Sequence, residues 1–313
     1  MIVVVGEALV DLTPARCGEG MGYVPRPGGS PYNVAIGLGR LGVPVGFLSR
    51  LSTDAFGRLL RDHLQASGVS LAYLVDAVEA TTLALVHLGG EEPEYSFYTE
   101  GTADRMLLPE HLPMIPEDAA LHFGSFSLAL EPGASTLEGL MRRESGRRLL
   151  SLDPNVRSSL VADRDAYVRR LEGWVGLMDL VKVSRADLAW LYPDQPAEAV
   201  ASRWLALGPA LVVVTLGKDG SLAVGAGGRA SVAGRRVAVV DTVGAGDAFT
   251  SAALAYLHLQ DALDRRGLEA LDTARLEVLL TFANAVAAQT STRPGADPPR
   301  KDEVDLAGLT GRR

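Results

Sequence analysis

Val237-Ala238-Val239-Val240-Asp241-Thr242-Val243-Gly244-Ala245-Gly246-Asp247-Ala248-Phe249 is the stretch that decides the fold. Its first four residues are apolar and read as a strand. A glycine-rich turn follows, and then a helix patterned by Ala248, Phe249, Ala252, Leu254 and Leu257. Gly244, Ala245 and Gly246 have little or no side chain, so backbone N–H groups can approach an anion closely. The positive end of the helix dipole adds to that attraction. Asp247 stands at the helix start. As a plain N-cap it would satisfy free N–H groups. Beside an anion hole a carboxylate is electrostatically costly unless a proton must be removed there, and a hydroxyl that accepts a phosphoryl group supplies such a proton.

Outward from this stretch, Ile2–Val5, Leu149–Leu152, Leu180–Val183 and Leu211–Leu216 read as buried strands, because nearly every position is apolar. Amphipathic helix patterns alternate with them at Val34–Leu41, Phe56–Ser67, Asp165–Met178, Ala197–Leu207 and Ala248–Leu259. The alternation predicts βαβ units and a mostly parallel sheet covered on both faces. Thr81–His87 and Tyr95–Thr99 break the rhythm as two strands joined by Gly89–Pro93. With the loop-rich segment Thr13–Pro27 they predict a small β lid, against the competing reading of an antiparallel edge extension. Residues 1–313 are expected to form one α/β domain with lid segments at about 12–27 and 81–99. The linker-like stretch is Arg293–Arg300.

The chain has 313 residues, 47% hydrophobic and 22% charged, an ordinary globular profile. A net charge of −8 argues against nucleic acid or an anionic membrane as a partner. The arginine pairs Arg142–Arg143, Arg147–Arg148 and Arg235–Arg236 read as solvated faces or loops. The single cysteine, Cys17, excludes an internal disulfide framework and a multi-cysteine metal site, and reads as a bystander thiol. Glu7 and Asp11 interrupt the N-terminal apolar run at once, and no run reaches the ~20 residues of a membrane span. The expected location is the cytoplasm.

At the other end of the chain, Gly28-Gly29 lets the backbone approach a ligand, while Ser30 and Pro31 suit the N-cap and first position of a helix. Asn33 then falls in its first turn, and Asp11 near the C-terminal edge of the first strand, where such sheets bind ligands.

The string Asp241-Thr-x-Gly-Ala-Gly-Asp247-x-Phe249 resembles the C-terminal signature of the ribokinase-like (PfkB) carbohydrate kinases. Gly28-Gly29-Ser-Pro-Tyr-Asn33-Val-Ala35 followed by Gly37-x-Gly39-Arg40-Leu41-Gly42 resembles the N-terminal signature of that family. The resemblance covers essentially the whole chain. It implies a three-layer α/β/α sandwich with a β-sheet lid over the sugar, ATP as donor and Mg²⁺ as cofactor; separately, the exposed lid strands predict a homodimer through lid-to-lid packing.

Residue by residue, the resemblance assigns Asp247 as base, with Gly244, Ala245 and Gly246 as anion hole. Asp11, Gly28, Gly29, Asn33, Tyr98 and Arg157 fall on the substrate side. Thr215, Gly217 and Gly220 match a nucleotide loop, Lys182 and Ser184 stand beside it, and Asn284 and Ala288 lie on a small-residue helix that could pack on adenine. Simple turns and tight helix–sheet packing would explain these segments equally well. Ser184 and Asp187 replace an Asn-x-x-Glu pair linked to Mg²⁺ and phosphate, so the carboxylate is one methylene shorter. Asp241 with Gly295 matches a loop pair that holds a monovalent cation, K⁺ in particular.

Asp153-Pro154-Asn155-x-Arg157 resembles the branch of the family that holds the fructokinases and the 2-keto-3-deoxygluconate kinases, and His122–Ser125 and Tyr95–Tyr98 resemble the bacterial fructokinases most. A 2-keto-3-deoxygluconate kinase is the runner-up, although Thr99 stands where many relatives have Arg, which removes a cation for a sugar carboxylate. A Rossmann dehydrogenase fails because Gly6-Glu7-Ala8-Leu9-Val10-Asp11 does not supply Gly-x-Gly-x-x-Gly. No Gly-x4-Gly-Lys-Ser/Thr string occurs. A non-catalytic sugar sensor would be expected to lose the base or the anion turn, and both are intact.

Overall fold

The computed structural model describes residues 1–18, 20–87 and 94–305. β1 (Ile2–Val5) lies inside a nine-stranded sheet. On one side of it stand β4 (Val45–Ser52) and β5 (Leu74–Ala77). On the other stand β8 (Ala120–Gly124), β9 (Leu150–Asp153), β10 (Leu180–Ser184) and β11 (Leu211–Thr215), all parallel. The hairpin β12 (Ser221–Gly225) and β13 (Gly228–Val232) closes that edge antiparallel.

β1 shows why the sheet is sandwiched. Ile2 and Val4 join a core with α1 (Ser30–Arg40), α2 (Ala55–Ala66), α7 (Ala245–Leu259) and α9 (Thr273–Thr290). Val3 and Val5 join a second core with α3 (Gly133–Glu144), α4 (Arg164–Val175), α5 (Arg185–Leu191) and α6 (Ala197–Leu205). Side chains alternate across a strand, so an all-apolar strand feeds both faces, at roughly 1.5–3 kcal/mol per large side chain buried. The result is the expected three-layer α/β/α arrangement. A short α8 (Arg265–Glu269) links α7 to α9.

A separate four-stranded sheet has the order β3-β2-β6-β7. It is built from β2 (Leu9–Cys17), β3 (Gly20–Gly28), β6 (Thr82–His87) and β7 (Glu94–Tyr98). The Thr13–Pro27 segment is therefore two paired strands and not a loop-rich stretch. Its prolines misled because they fall where sheets tolerate them. Pro25 and Pro27 lie on the edge strand β3, and Pro14 lies beyond Leu12, where the β2–β6 pairing ends. The Gly89–Pro93 turn lies outside the described residues.

The strand expected at Val237–Val240 does not form. The β12–β13 hairpin already occupies the sheet edge, so this extended segment crosses the end of α9, where the Val240 N–H donates to the Ser291 carbonyl at 2.9 Å. Val239 and Val240 stay 61% and 63% exposed. The Arg293–Arg300 stretch, read as linker-like, is instead pinned. Arg40 pairs with Asp297 at 2.5 Å, and the Gly295 N–H donates to Asp241 at 2.7 Å.

Candidate active site

The C-terminal ends of β1, β9, β10 and β11 and the N-termini of α1 and α7 converge on one cavity of about 1350 Å³. Ligands bind parallel α/β sheets at this edge because the strand ends and helix N-termini together present unpaired N–H groups. The volume exceeds the usual ~300–1,000 Å³ of a single-ligand pocket, which suits two substrates side by side.

Asp247 sits at its centre as the third residue of α7 and is buried. It does not cap the helix. Gly244, at φ +75°, occupies the cap position, and a Cβ there would lie 2.5 Å from Ala296 Cβ. No side chain caps α7; the Ala245 N–H donates to the Thr242 carbonyl at 3.3 Å, which leaves the Gly246 and Asp247 N–H groups available to an anion. The Asp247 carboxylate instead accepts from Ser30 Oγ at 2.7 Å, Asn33 Nδ2 at 2.8 Å and Asn155 Nδ2 at 3.3 Å. Burial pushes its carboxyl above the usual carboxylate range, while the bonds from Ser30 and Asn33 pull it back.

Ser30 was expected to be the N-cap of α1, yet Gly29 holds that position at φ +106°, with a Cβ there only 2.9 Å from the Glu7 carbonyl. With the backbone capped by Gly29, the Ser30 hydroxyl is free to reach Asp247. Asn155 Nδ2 donates to Ser30 Oγ at 2.7 Å, and Arg157 Nη1 donates to Asn155 Oδ1 at 2.6 Å. A chain of donors therefore runs from Arg157 through Asn155 and Ser30 to the carboxylate.

On the expected substrate side, Asp11, Gly29, Asn33 and Arg157 line the cavity. Burial raises Asp11 to about 6, against the pull of Arg157. Gly28 does not line it; a Cβ there would fall 2.3 Å from Asp11 Oδ2, so this glycine makes room for Asp11. Tyr98 also departs from expectation. It is 60% exposed and absent from the cavity wall, whereas Tyr95 and Phe97, on the opposite face of β7, line it. Phe97 stacks on Tyr95 at 6.0 Å and tilts against Phe126 at 5.6 Å. Glu7, buried and raised to about 7 by desolvation, accepts from the Ser30 and Ser127 amides, both at 3.3 Å.

On the expected nucleotide side, Lys182, Ser184, Thr215, Gly217, Gly220, Asn284 and Ala288 share the wall with Gly244, Ala245 and Gly246. Arg235 and Arg236, read as a solvated pair, line this end too, beside Val237 and Val239. Asp187 also lines it, but both of its oxygens have partners. Val156 N–H donates to Oδ1 at 2.9 Å, and Ser184 Oγ donates to Oδ2 at 2.7 Å within a capping box. Burial holds this carboxyl above its ordinary range. Among the described residues, no three His, Cys, Asp or Glu side chains gather into a metal cage. Asp241 and Gly295 do come together, through the 2.7 Å bond that pins the Arg293–Arg300 stretch, and the Val243 N–H holds the second Asp241 oxygen at 3.0 Å. The residues that sequence reasoning passed over as site members are Glu7, Ser30, Asp153 and Asn155. Glu7 was visible only as a strand interruption, whereas Ser30, Asp153 and Asn155 stood inside the quoted signature strings without a role of their own.

A largely parallel sheet whose strand ends meet a helix start without a side-chain cap, with a buried carboxylate in its first turn, is an arrangement suited to phosphoryl transfer to a hydroxyl. Residues 1–303 match the pfkB family carbohydrate kinase, and the chain belongs to that family. It is 39% identical over 279 residues to a fructokinase of Rhizobium leguminosarum bv. trifolii, covering 88% of this chain and 85% of that one. Fructokinase-1 of Oryza sativa subsp. japonica is 36% identical, with 99% and 97% covered. Among solved structures, a Xylella fastidiosa fructokinase with bound ATP superimposes with a TM-score of 0.85 at 30% identity, covering 94% and 93%. A Vibrio cholerae O395 fructokinase with fructose, ADP and calcium gives 0.80 at 30% identity, covering 94% of each chain. The protein is an ATP-dependent sugar kinase. No helix among the described residues is long and apolar enough to cross a membrane.

Proposed function

We propose that the protein transfers the γ-phosphoryl group of ATP to a hydroxyl of fructose, with Asp247 as base. One observation carries this reading: a buried carboxylate, held by three donors, lies beside an uncapped helix start in a cavity large enough for sugar and nucleotide together. Fructose lies toward Asp11, Asn33, Arg157 and Phe97, and ATP toward Thr215–Gly220, Val239 and Ala288. The acceptor oxygen forms its bond to phosphorus as the bond to the ADP oxygen breaks. The hydroxyl proton passes to Asp247, and the Gly244–Gly246 turn stabilises the phosphoryl oxygens.

Mg²⁺ supplies neutralisation of the polyphosphate when it is bound with ATP. The donor set fits a metal carried in on phosphate rather than caged by protein, with Asp187 contributing through water, since both its oxygens already accept hydrogen bonds. Asp241 and Gly295 are the candidates for a monovalent cation. The small sheet serves as a lid, because Leu9, Asp11, Tyr95 and Phe97 reach the cavity from it. Its exposed Met21, Tyr23, Val24 and Tyr98 are the candidates for a homodimer contact. Asp11, which is raised to about 6 and so ionised near neutral pH, lines the acceptor end and favours a neutral sugar over a sugar acid.

The test is ADP release with Mg-ATP against fructose, 2-keto-3-deoxygluconate, ribose and adenosine, in K⁺ and in Na⁺ salts, with Asp247→Asn as control. Turnover confined to fructose and reduced on the order of 10²–10⁴-fold in the variant is expected. Turnover confined to the keto acid would overturn the substrate, and an active Asp247→Asn enzyme would overturn the base.

A further inference from the structure

The Gly244–Gly246 turn is not anchored in the sheet it faces. Among the described residues, 237–243 pair with no strand, and their backbone ties run to the end of α9. There the Val240 and Asp241 N–H groups both donate to the Ser291 carbonyl, at 2.9 and 3.3 Å. The turn is backed by the loop that follows α9. Ala296 packs directly against Gly244, whose missing Cβ would stand 2.5 Å from the Ala296 Cβ. Beside it, the Gly295 N–H donates to Asp241 Oδ2 at 2.7 Å, while Asp241 Oδ1 accepts from the Val243 N–H at 3.0 Å. One carboxylate therefore ties the loop to the residue just before the turn.

This loop cannot hold itself. Arg293-Pro-Gly-Ala-Asp-Pro-Pro-Arg300 has three prolines and so lacks three backbone donors. Its support comes from another element. Arg40, the last residue of α1, donates from Nη1 to Asp297 Oδ1 at 2.5 Å and to the Pro298 carbonyl at 2.7 Å. The second Asp297 oxygen faces Arg293 at 3.7 Å, and Arg293 also pairs with Glu303. The Asp297 carboxylate is thus shared by two guanidinium groups.

As a stabilising device the Arg40–Asp297 pair is ordinary, because Asp297 is 46% exposed and ion pairs open to water contribute little. Arg40 itself is not ordinary. Its side chain is 10% exposed, and its Nε is buried with no partner among the described residues. Burying a guanidinium with an unmet donor is costly, so its position needs another account. The account lies in what it reaches: a side chain and a main-chain carbonyl on successive residues of the loop, which a planar fork holds more rigidly than an ammonium would. The helix α1 does not depend on this contact for its own place, since Gly37 packs on Ser251 of α7 with no room for a Cβ. Ser30 and Asn33, the donors to Asp247, lie at the opposite end of α1.

We propose that Arg40 is a positioning residue for phosphoryl transfer: by holding Asp297 and Pro298 it presses Gly295 and Ala296 against Asp241 and Gly244, and so fixes where the Gly246 and Asp247 N–H groups point. This rests on the kinase reading above. Arg40 does not line the cavity, so its effect passes through the loop and falls on the phosphate side, not on the sugar or the base. No bond or proton changes at Arg40 itself.

Three variants test this. R40M removes the charge and both bonds, R40K keeps the charge, and D297A removes one arm of the contact at a half-exposed residue. Calorimetric binding of AMP and Mg-ATP is measured without sugar, followed by kcat and KM on the sugar that wild type turns over. Misplacing a catalytic group by a fraction of its reach is costly even from a distance, so kcat of R40M should fall about ten- to a hundredfold. ATP affinity should weaken by at least threefold, AMP affinity and sugar KM should stay within twofold, and R40K should recover much of the loss. D297A should show the same pattern at smaller amplitude, and it decides the matter if R40M does not fold. A folded R40M protein with kcat and ATP affinity within twofold of wild type would overturn the assignment, as would a D297A protein indistinguishable from wild type. So would a sugar KM that rises in step with the loss of kcat, the mark of a displaced α1, or AMP and ATP weakened in equal proportion, the mark of general loosening. Wild type that binds ATP yet phosphorylates no sugar would defeat the kinase reading, while the ratio of ATP to AMP affinity in the variants would still decide this one.

Discussion

Removing the Ser30 hydroxyl should alter the pH dependence of turnover more than its maximum. Ser30 Oγ donates to Asp247 Oδ1 at 2.7 Å in a site shielded from water. A hydrogen bond to a charged acceptor contributes about 1.5–3 kcal/mol. The bond favours the carboxylate form, so Ser30→Ala raises a carboxyl that burial has already raised. Asp247 must be ionised to take a proton, so the loss falls on the acid side. Well below the limb, kcat/KM should drop by about ten- to a hundredfold, since ~1.4 kcal/mol is a factor of ten. At alkaline pH the two enzymes should converge. Asn155 sets where in that range the result falls: its Nδ2 is already 3.3 Å from the same oxygen and is released from Ser30 in the variant. Closing that gap would hold Ser30→Ala near tenfold, and Ser30→Ala/Asn155→Ala should expose the rest. The assay is kcat/KM from pH 5 to 9 by ADP release. A loss of equal size at every pH, or an unmoved acid limb in the double variant, would refute the argument that these donors tune the base.

Gly244→Ala should cost about 1–3 kcal/mol in denaturant unfolding, because φ +75° is strained for alanine and the new Cβ meets Ala296, and it should weaken ATP binding as the turn shifts. Tyr98→Glu should leave fructose KM within twofold, since Tyr98 faces away from the cavity, and should split a lid-to-lid dimer in sedimentation velocity. A large KM increase would return Tyr98 to the substrate side.

Signals confined to a few neighbouring residues were legible in the chain. Ile2–Val5 is a strand with the expected limits, since an all-apolar tetrapeptide leaves one reading in a sheet buried on both faces. The Gly244–Asp247 turn and the helix after it were readable for the same reason, as was the stretch around Gly29 and Asn33. Where local chemistry admits two uses, the sequence named the commoner one. Ser30 looks like a cap until Gly29 takes the cap and frees the hydroxyl for a carboxylate 217 positions away. Tyr98 and Phe97 are adjacent, and period-2 alternation fixes that they face opposite ways without saying which faces the ligand. Val237–Val240 has the composition of a strand, but the hairpin before it had filled the sheet edge, and that competition is settled by pairing and not by propensity.

The departures fall where the chemistry does, and for one reason. A buried charge is tolerated only against partners from other elements. Asp247 draws its donors from α1 and the loop after β9, and Lys182 on β10 takes Asp153 from β9 and, through it, Thr250 from α7. None of those partners lies close in sequence, so no local pattern can announce them. What the sequence does show is the breach itself: Lys182 between Val181 and Val183 in β10, and Asp153 directly after Leu152 at the end of β9. Such a breach in β9 or β10 is costly on its own and must be answered in three dimensions, which is why Asp153 and Lys182 mark the site more specifically than any turn that flanks it.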